Sequence, residues 1–151
     1  KDLHAAAKRS GQFYPPDPTE TMAALGGTIS CNASGSRSFL YGATRRWIQR
    51  LRFALLDGRV LDVRRGEAID FPVQPVHRPQ STKHSAGYPL QPGMDWIDLI
   101  AGSEGTLAFV LEAEVKLLPL PEQLLNGIIF FPTDEDALNA VEDWRSIAGL
   151  R

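Results

Sequence analysis

Three clusters of glycine and proline residues are the strongest candidates for chemistry in this sequence. They span residues 15–19, 26–35 and 102–107. Tight turns of this kind expose backbone N–H groups, which donate hydrogen bonds to phosphate or carbonyl oxygens. Glu104 lies between two glycines and could accept hydrogen bonds from sugar hydroxyls. None of the clusters matches the P-loop or the G-x-G-x-x-G pattern. Glycine-rich turns are also common on protein surfaces that bind nothing, so composition alone leaves both interpretations open.

Histidine and cysteine are weaker candidates. His77 and His84 lie seven residues apart in a proline-rich segment, but a metal site would need a third ligand and supporting contacts. Cys31 would need a neighbouring base and a lowered pKa to act as a nucleophile. The sequence identifies neither a base nor a third ligand. It therefore predicts solvated histidines, a structural cysteine and no metal site, and it leaves the catalytic residues unknown.

Arginine and aromatic residues allow two interpretations each. A basic stretch could contact phosphates, anionic lipid or an acidic partner, but its charges alternate along a predicted hairpin, which favours a solvated face. Tyr41, Trp47 and Tyr88 could stack on a flat ring, although aromatic side chains pack more often in a core. The arginines of the stretch are Arg45, Arg46, Arg50, Arg52, Arg59, Arg64 and Arg65.

Composition excludes several classes of protein. The chain has 151 residues, 43% hydrophobic and 23% charged, with a net charge of -2, which is typical of a globular protein with one core. The near-balanced charge argues against a nucleic-acid partner, and no apolar run approaches the ~20 residues of a transmembrane helix. The single Cys31 fits a reducing compartment. We expect a cytoplasmic location, with peripheral membrane attachment as the alternative.

The predicted elements are short and separated by turns. Residues 2–10 form a helix, residues 13–18 an extended proline-rich turn, and residues 21–25 a helical turn. Asp57-Gly58 predicts a hairpin between strands at 47–56 and 59–63. The long segment 66–93, with five prolines, is a loop, followed by a helix at 94–101 and a strand at 106–118.

Alternation in the last of these strands predicts one apolar face, made of Leu107, Phe109, Leu111, Ala113, Val115 and Leu117. Pro119-Leu120-Pro121 resembles a linker. Beyond it, residues 127–131 predict a buried strand, and Thr133 predicts the N-cap of a helix with acidic residues in its first turn. The apolar face of that helix comprises Leu138, Val141, Trp144 and either Ile147 or Ala148.

Five motifs occur in a specific order over residues 10–121. They read Tyr14-Pro-Pro-Asp-Pro18, Leu25-Gly-Gly-Thr-Ile-Ser-Cys-Asn-Ala-Ser-Gly35, Leu40-Tyr-Gly-Ala-Thr-Arg45 with Leu56-Asp-Gly58, Lys83-His-Ser-Ala-Gly-Tyr88, and Gly102-Ser-Glu-Gly-Thr-Leu107. Together they resemble the FAD-linked oxidases of the vanillyl-alcohol-oxidase type. Within that family the resemblance is to the glycolate oxidase FAD subunit, D-lactate dehydrogenase and D-2-hydroxyglutarate dehydrogenase group.

The resemblance implies FAD as cofactor and a set of cofactor-binding residues. The first two clusters would line the isoalloxazine ring and pyrophosphate, and the Glu-Gly-Thr-Leu segment would hold the ribityl and adenosine side. The residues so implied are Pro16, Asp17, Thr19, Gly26, Gly27, Asn32, Ala33, Ser34, Gly35, Glu104, Gly105, Thr106, Leu107 and, through its backbone, Val110. Flavin performs the hydride transfer, and the protein supplies orientation and electrostatics.

The resemblance also implies an α+β fold with a mixed or antiparallel sheet flanked by short helices. Residues 1–121 would be the C-terminal part of an FAD-binding domain, and residues 122–151 the first βα unit of a ferredoxin-like substrate cap. An N-terminal FAD subdomain with the pyrophosphate loop and the rest of the cap would then lie in the same protein outside this sequence. Further partners would be a homo-oligomer or an electron-transfer subunit.

The implied activity is oxidation of a small 2-hydroxy acid by a parent enzyme, with this piece inactive alone. Two alternatives remain. Ser34, in place of the family's commoner Gly, also resembles alkyl-dihydroxyacetone-phosphate synthase, a flavin transferase with no net redox reaction. The second alternative is a flavin-free assembly domain.

Overall fold

The computed structural model describes residues 1–77 and 87–147. Its centre is an antiparallel sheet of three strands, β2 (Ile48–Leu55), β3 (Val60–Arg64) and β4 (Ala108–Val115). The strand order is β3-β2-β4. Strands β2 and β3 form the predicted hairpin around Asp57-Gly58.

Short helices cover this sheet on one face. Helix α2 (Leu25–Ser30) and helix α4 (Trp96–Ile100) pack against it. The side chains of Leu51 and Phe53 on β2 are fully buried on this face, because alternate residues of a strand point to the same face. The other buried members of this core are Ile29, Ile48, Val63, Ile97, Ile100, Ala101 and Ala108. The α+β fold class predicted from the sequence is confirmed.

A second, smaller hydrophobic cluster lies where the segment before the sheet meets the segment that follows β4. Strand β1 (Gln12–Phe13) pairs antiparallel with β5 (Leu118–Pro119), next to helix α1 (Asp2–Arg9). Its core is aromatic: Phe13, Tyr14, Tyr41 and Trp47. Tyr41 belongs to helix α3 (Ser38–Tyr41), and Trp47 ends a 3-10 helix at Thr44–Trp47. Tyr41 and Trp47 therefore pack in the core, as the sequence favoured.

The predicted apolar face of the last strand is only partly correct. Leu107 and Ala113 pack on the main core, but Phe109 is 73% exposed and Leu111 is 45% exposed. The reason is a β-bulge. Phe53 lies opposite Val110, whereas the preceding Arg52 lies opposite Glu112. Leu111 is therefore an extra residue with no partner on β2. The inward-facing positions shift by one residue from one side of Leu111 to the other. The inward positions are Ala108, Val110 and Ala113.

Two further expectations are wrong. The helical turn does not end before the glycine pair: residues 21–24 are irregular, and Gly26 and Gly27 lie inside α2. Residues 127–131 do not form a buried strand but belong to an irregular segment, with Phe130 90% exposed. An apolar run predicts burial only where a partner surface is within reach, and the described residues supply none at this segment.

Helix α5 (Asp134–Trp144) confirms the predicted cap. The Thr133 hydroxyl accepts a hydrogen bond from the Asp136 N–H at 3.1 Å. No residue of α5 is buried, and Trp144 packs against Phe131 with ring centroids 5.9 Å apart. Ala148 lies outside the described residues. No helix in the described part of the chain has the length and apolar character needed to cross a membrane.

Candidate functional site

Helix α2 lies at the centre of the predicted site, and its two glycines have different surroundings. A Cβ on Gly26 would lie 3.7 Å from the Cβ and the carbonyl oxygen of Val110, so this side of the helix packs on β4. A Cβ on Gly27 would meet nothing within 4 Å. Gly26 therefore faces the sheet with room for an ordinary van der Waals contact, while Gly27 leaves an open side that a ligand can approach closely.

The proline-rich turn packs beside the segment that follows α2. Pro16 is fully buried, so its side chain serves packing. Gly35 lies against the backbone of Asp17, because a Cβ on Gly35 would overlap that carbonyl group. Arg37 adds an ion pair, with its Nε 3.5 Å from Asp17 Oδ2. The first cluster and the end of the second are thus in direct contact.

The chain reverses directly after α2 at Asn32, which has a φ of 45°. Asparagine tolerates this left-handed conformation better than most residues. The N–H of Ala33 donates to Thr28 O at 2.8 Å, closing the end of the helix. The carbonyl of Ala33 accepts from both the N–H and the hydroxyl of Thr44, at 3.0 and 2.7 Å. The Asn32–Ala33 segment is therefore held by the 3-10 helix.

The third cluster docks on the C-terminal end of the same helix. The N–H of Gly102 donates to Ile29 O at 3.1 Å, and the N–H of Glu104 donates to Ser30 O at 2.8 Å. Glu104 has a φ of 55°, a conformation that costs about 1 kcal/mol or more for a residue with a side chain. Its carboxylate is exposed. The loop thus presents Glu104 to solvent beside α2.

Tyr88 connects the proline-rich loop to this cluster through its hydroxyl group. Its hydroxyl lies 2.6 Å from the Thr106 hydroxyl, which donates to Ser103 O at 2.5 Å. Residues 83–86 of the same motif, including His84, lie outside the described residues.

A cavity of about 700 Å³ opens on the N-terminal side of α2. Asp17 and Thr28 line it together with His4 of α1 and Tyr14, which directly follows β1. Burial lowers the pKa of His4, so its imidazole favours the neutral form. Burial raises the pKa of Tyr14 to about 12, partly offset by the Thr44 hydroxyl. The volume is within the range of small-molecule sites.

The predicted site residues therefore form one arrangement with α2 in its middle, but not one cavity. Asp17 is the predicted residue that lines the 700 Å³ cavity, while Thr19 is exposed nearby on the same segment. The loop at 104–107 lies at the opposite end of α2 and does not line that cavity. Leu107 is half-buried against the core. Ser34 and Gly105 lie on the turns that flank this end of the helix.

The basic stretch divides into two groups. Four arginines form ion pairs on the solvated side of the sheet and at the hairpin turn, as the sequence favoured. The pairs are Arg50 with Asp62, Arg52 with Glu112, Arg64 with Glu114 and, at the turn, Arg59 with Asp57. Arg46 is exposed. Arg45 and Arg65 differ from that expectation because both are half-buried and bind groups at the two ends of α4.

The sequence did not indicate that role. The signal that could have indicated the role of Arg65 is the pair Asp95 and Asp98. These acids are three residues apart at the start of a helix, a spacing typical of a capped N-terminus. In the structure the Asp95 carboxylate accepts from the Asp98 N–H at 2.7 Å, and both carboxylates bind Arg65.

The α+β fold is that of the PCMH-type FAD-binding domains. Residues 1–64 match the family model described as an FAD binding domain. Residues 1–64 therefore belong to this FAD-binding family, and FAD is the cofactor that the family's domain binds; the motifs of the whole chain are similar to those of the FAD-linked oxidases.

Curated relatives agree with this assignment, and a solved structure agrees with the fold. The chain is 38% identical to a D-lactate dehydrogenase of Archaeoglobus fulgidus, covering 93% of this chain and 27% of the relative. It is 34% identical to the glycolate oxidase subunit GlcD of Bacillus subtilis, covering 94% and 26%. A solved alkyldihydroxyacetonephosphate synthase superposes with a TM-score of 0.66 at 24% identity, covering 96% and 22%. The chain thus spans about a quarter of the length of the curated relatives it matches.

Proposed function

We propose that this chain is part of a longer FAD-dependent oxidoreductase that oxidises a small 2-hydroxy acid. The relatives' names supply the support: D-lactate, glycolate and D-2-hydroxyglutarate, the last from a Xanthomonas citri relative 33% identical over 79% of this chain, are all 2-hydroxy acids. The likeness to the synthase is below 25% identity and supports the fold alone. When bound, the flavin accepts the hydride of the substrate C–H bond.

The main support for the proposed cofactor site is that the three glycine and proline clusters meet at one helix, α2. Gly35 contacts the Asp17 backbone, Gly26 packs on Val110, and the Glu104 N–H binds the last turn of α2. Gly27 then presents backbone with open space beside it. In our proposal the flavin passes along this open side, and Glu104 accepts hydrogen bonds from cofactor hydroxyls.

Residues 122–151 are proposed to begin the substrate domain. Their support is an unusual amount of exposed apolar surface, including Leu125 at 97%, Ile128 at 83% and Leu138 at 67%. Surface of this kind needs a covering partner, and in our proposal the remainder of the substrate domain supplies it. Residues 1–121 then form part of the FAD-binding domain. We also propose that the protein acts in the cytoplasm.

The test compares substitutions at two glycines that both have open space around an added Cβ but lie in different parts of the chain. Gly27→Val should abolish retention of flavin by the full-length protein, because the added side chain occupies the open side of α2. Gly127→Val is the matched control, since a Cβ at Gly127 also meets nothing within 4 Å. Flavin absorption near ~450 nm reports the result, and circular dichroism checks the fold. A soluble Gly27→Val protein with normal flavin content would overturn the site assignment.

A further inference from the structure

Arg45 contacts both of the segments that are predicted to hold the cofactor at the C-terminal end of α2. Its backbone N–H donates to Asn32 Oδ1 at 2.8 Å. Its guanidinium donates to the carbonyl of Ala101 through Nε, at 3.2 Å, and also through Nη2. Ala101 directly precedes the loop at 102–107. One residue therefore joins the Asn32 turn to the start of that loop.

The space around Gly102 is set by these same contacts. A Cβ on Gly102 would lie 3.0 Å from Arg45 Nη2 and 3.1 Å from the Cβ of Asn32. Gly102 has a φ of 92°, which only glycine adopts without strain. The guanidinium, the turn and the loop thus pack tightly enough that a displacement of Arg45 would move the loop.

A second arginine fixes the other end of helix α4. Arg65 Nη1 lies 3.0 Å from Asp95 Oδ2 and 2.7 Å from Asp98 Oδ1. Its Nη2 donates to the carbonyl of Arg45 at 2.6 Å. Asp95 is the N-cap of α4, while Arg45 binds the carbonyl just past its C-terminal residue. The two arginines hold a five-residue helix at both ends.

We propose that Arg45 is a positioning residue of the flavin site: it sets the loop at 102–107 relative to the Asn32 turn, so that Glu104 is aligned for the cofactor. This inference rests on the proposed FAD site. An arginine is required because its planar fork directs two N–H groups at one carbonyl, whereas a lysine offers a point charge on a flexible stem. The positive φ of Glu104 is maintained by this packing.

The experiment uses Arg45→Met and Arg45→Lys, with Arg46→Met as the control. Arg46 lies on the same 3-10 helix and is exposed. In the full-length flavoprotein, measured well below the melting temperature, Arg45→Met should weaken FAD binding about tenfold or more through loss of charge-assisted hydrogen bonds. Arg45→Lys should recover only part of this. The visible circular dichroism of the bound flavin should change in both, and Arg46→Met should match the wild type.

A second measurement, on the full-length protein freed of its flavin, does not depend on the cofactor. Hydrogen exchange at the Glu104 amide, which donates to Ser30 O, should accelerate in Arg45→Met and remain unchanged in Arg46→Met. In the full-length flavoprotein, the losses of FAD affinity caused by Arg45→Met and Glu104→Gln should be non-additive in the double variant, because Arg45 acts through the Glu104 side chain.

Flavin retention by the wild-type protein tests the proposed function, whereas the Arg45 variants test the positioning role. A wild-type protein that retains no flavin would contradict the proposed function, and the exchange rate of the Glu104 amide would then decide the inference by itself. Folded Arg45 variants that only lower the melting temperature, with FAD affinity, flavin spectrum and Glu104 exchange all unchanged, would overturn it.

Discussion

Gly35 and the backbone of Asp17 are in such close contact that no side chain fits between them: a Cβ on Gly35 would overlap the Asp17 carbonyl group. The two residues are far apart in sequence, and their contact fixes the proline-rich turn against the chain reversal after α2. This contact is what brings the first two glycine and proline clusters to the same place.

We predict that Gly35→Ala lowers the free energy of unfolding by about 2 kcal/mol, because backbone must shift to admit one methyl group. Gly127→Ala should change it by less than about 0.5 kcal/mol, as expected for an exposed site, since a Cβ there meets nothing within 4 Å. Urea denaturation of both variants gives the comparison. Equal stability of the two would contradict the close contact.

Asp95 should be far more important for stability than the acids of the exposed sheet face. Its carboxylate is 7% exposed and accepts from Arg65, from the Gly66 N–H at 2.8 Å and from the Asp98 N–H. We expect Asp95→Ala to cost about 3 kcal/mol, since it removes a helix cap and leaves Arg65 with fewer partners.

Asp62→Ala is the control for this prediction. The Arg50 guanidinium lowers the pKa of Asp62 through a hydrogen bond, but the pair is open to solvent, where ion pairs contribute little. Thermal and urea denaturation should show a much smaller loss for Asp62→Ala. If Asp62→Ala lowered the free energy of unfolding as much as Asp95→Ala, the prediction that burial makes Asp95 more important would be wrong.

Tyr14 should produce a pH dependence of stability in the alkaline range. Burial raises its pKa to about 12, above the unfolded value of about 10. Below pH of about 10 the phenol is neutral in the folded and unfolded states, and its contribution to the free energy of unfolding is complete. As pH rises towards 12, the phenol ionises more readily in the unfolded state, and the free energy of unfolding falls by about 2–3 kcal/mol. In Tyr14→Phe this component of the pH dependence should be absent.

At neutral pH, Tyr14→Phe should be as stable as the wild type or slightly more stable. The Tyr14 hydroxyl has no well-formed hydrogen bond within the described residues, so its removal leaves no partner unsatisfied. Urea denaturation at several pH values compares the two proteins. Parallel loss of stability by both above pH of about 10 would exclude Tyr14 as the group responsible.

The 151-residue chain by itself should bind FAD more weakly than micromolar. The resemblance implies that a separate subdomain supplies the pyrophosphate loop, and each missing hydrogen bond costs about 1 kcal/mol, or several-fold in affinity. Flavin fluorescence during titration with the purified chain measures this directly. Micromolar or tighter binding would show that residues 1–151 contain a sufficient site.

The sequence alone predicted much of the local structure. Thr133 and the acids after it define the start of α5, and Asp57-Gly58 defines the hairpin, because capping and turn formation depend on residues within a few positions of each other. The motifs also predicted the family and its FAD cofactor. The cofactor-contact residues and the boundary at residue 121 remain predictions.

Tertiary structure decided the features that depend on distant residues. Phe109 and Leu111 face solvent because a bulge opposite Phe53 shifts the phase of β4, and residues 127–131 remain exposed because no described surface covers them. Arg45 was expected on a solvated face, but the position of Ala101, 56 residues away in sequence, makes it a half-buried contact between two loops. Side-chain types and spacing determine local elements, whereas the partners of a buried charge or an apolar run are fixed only when the chain packs.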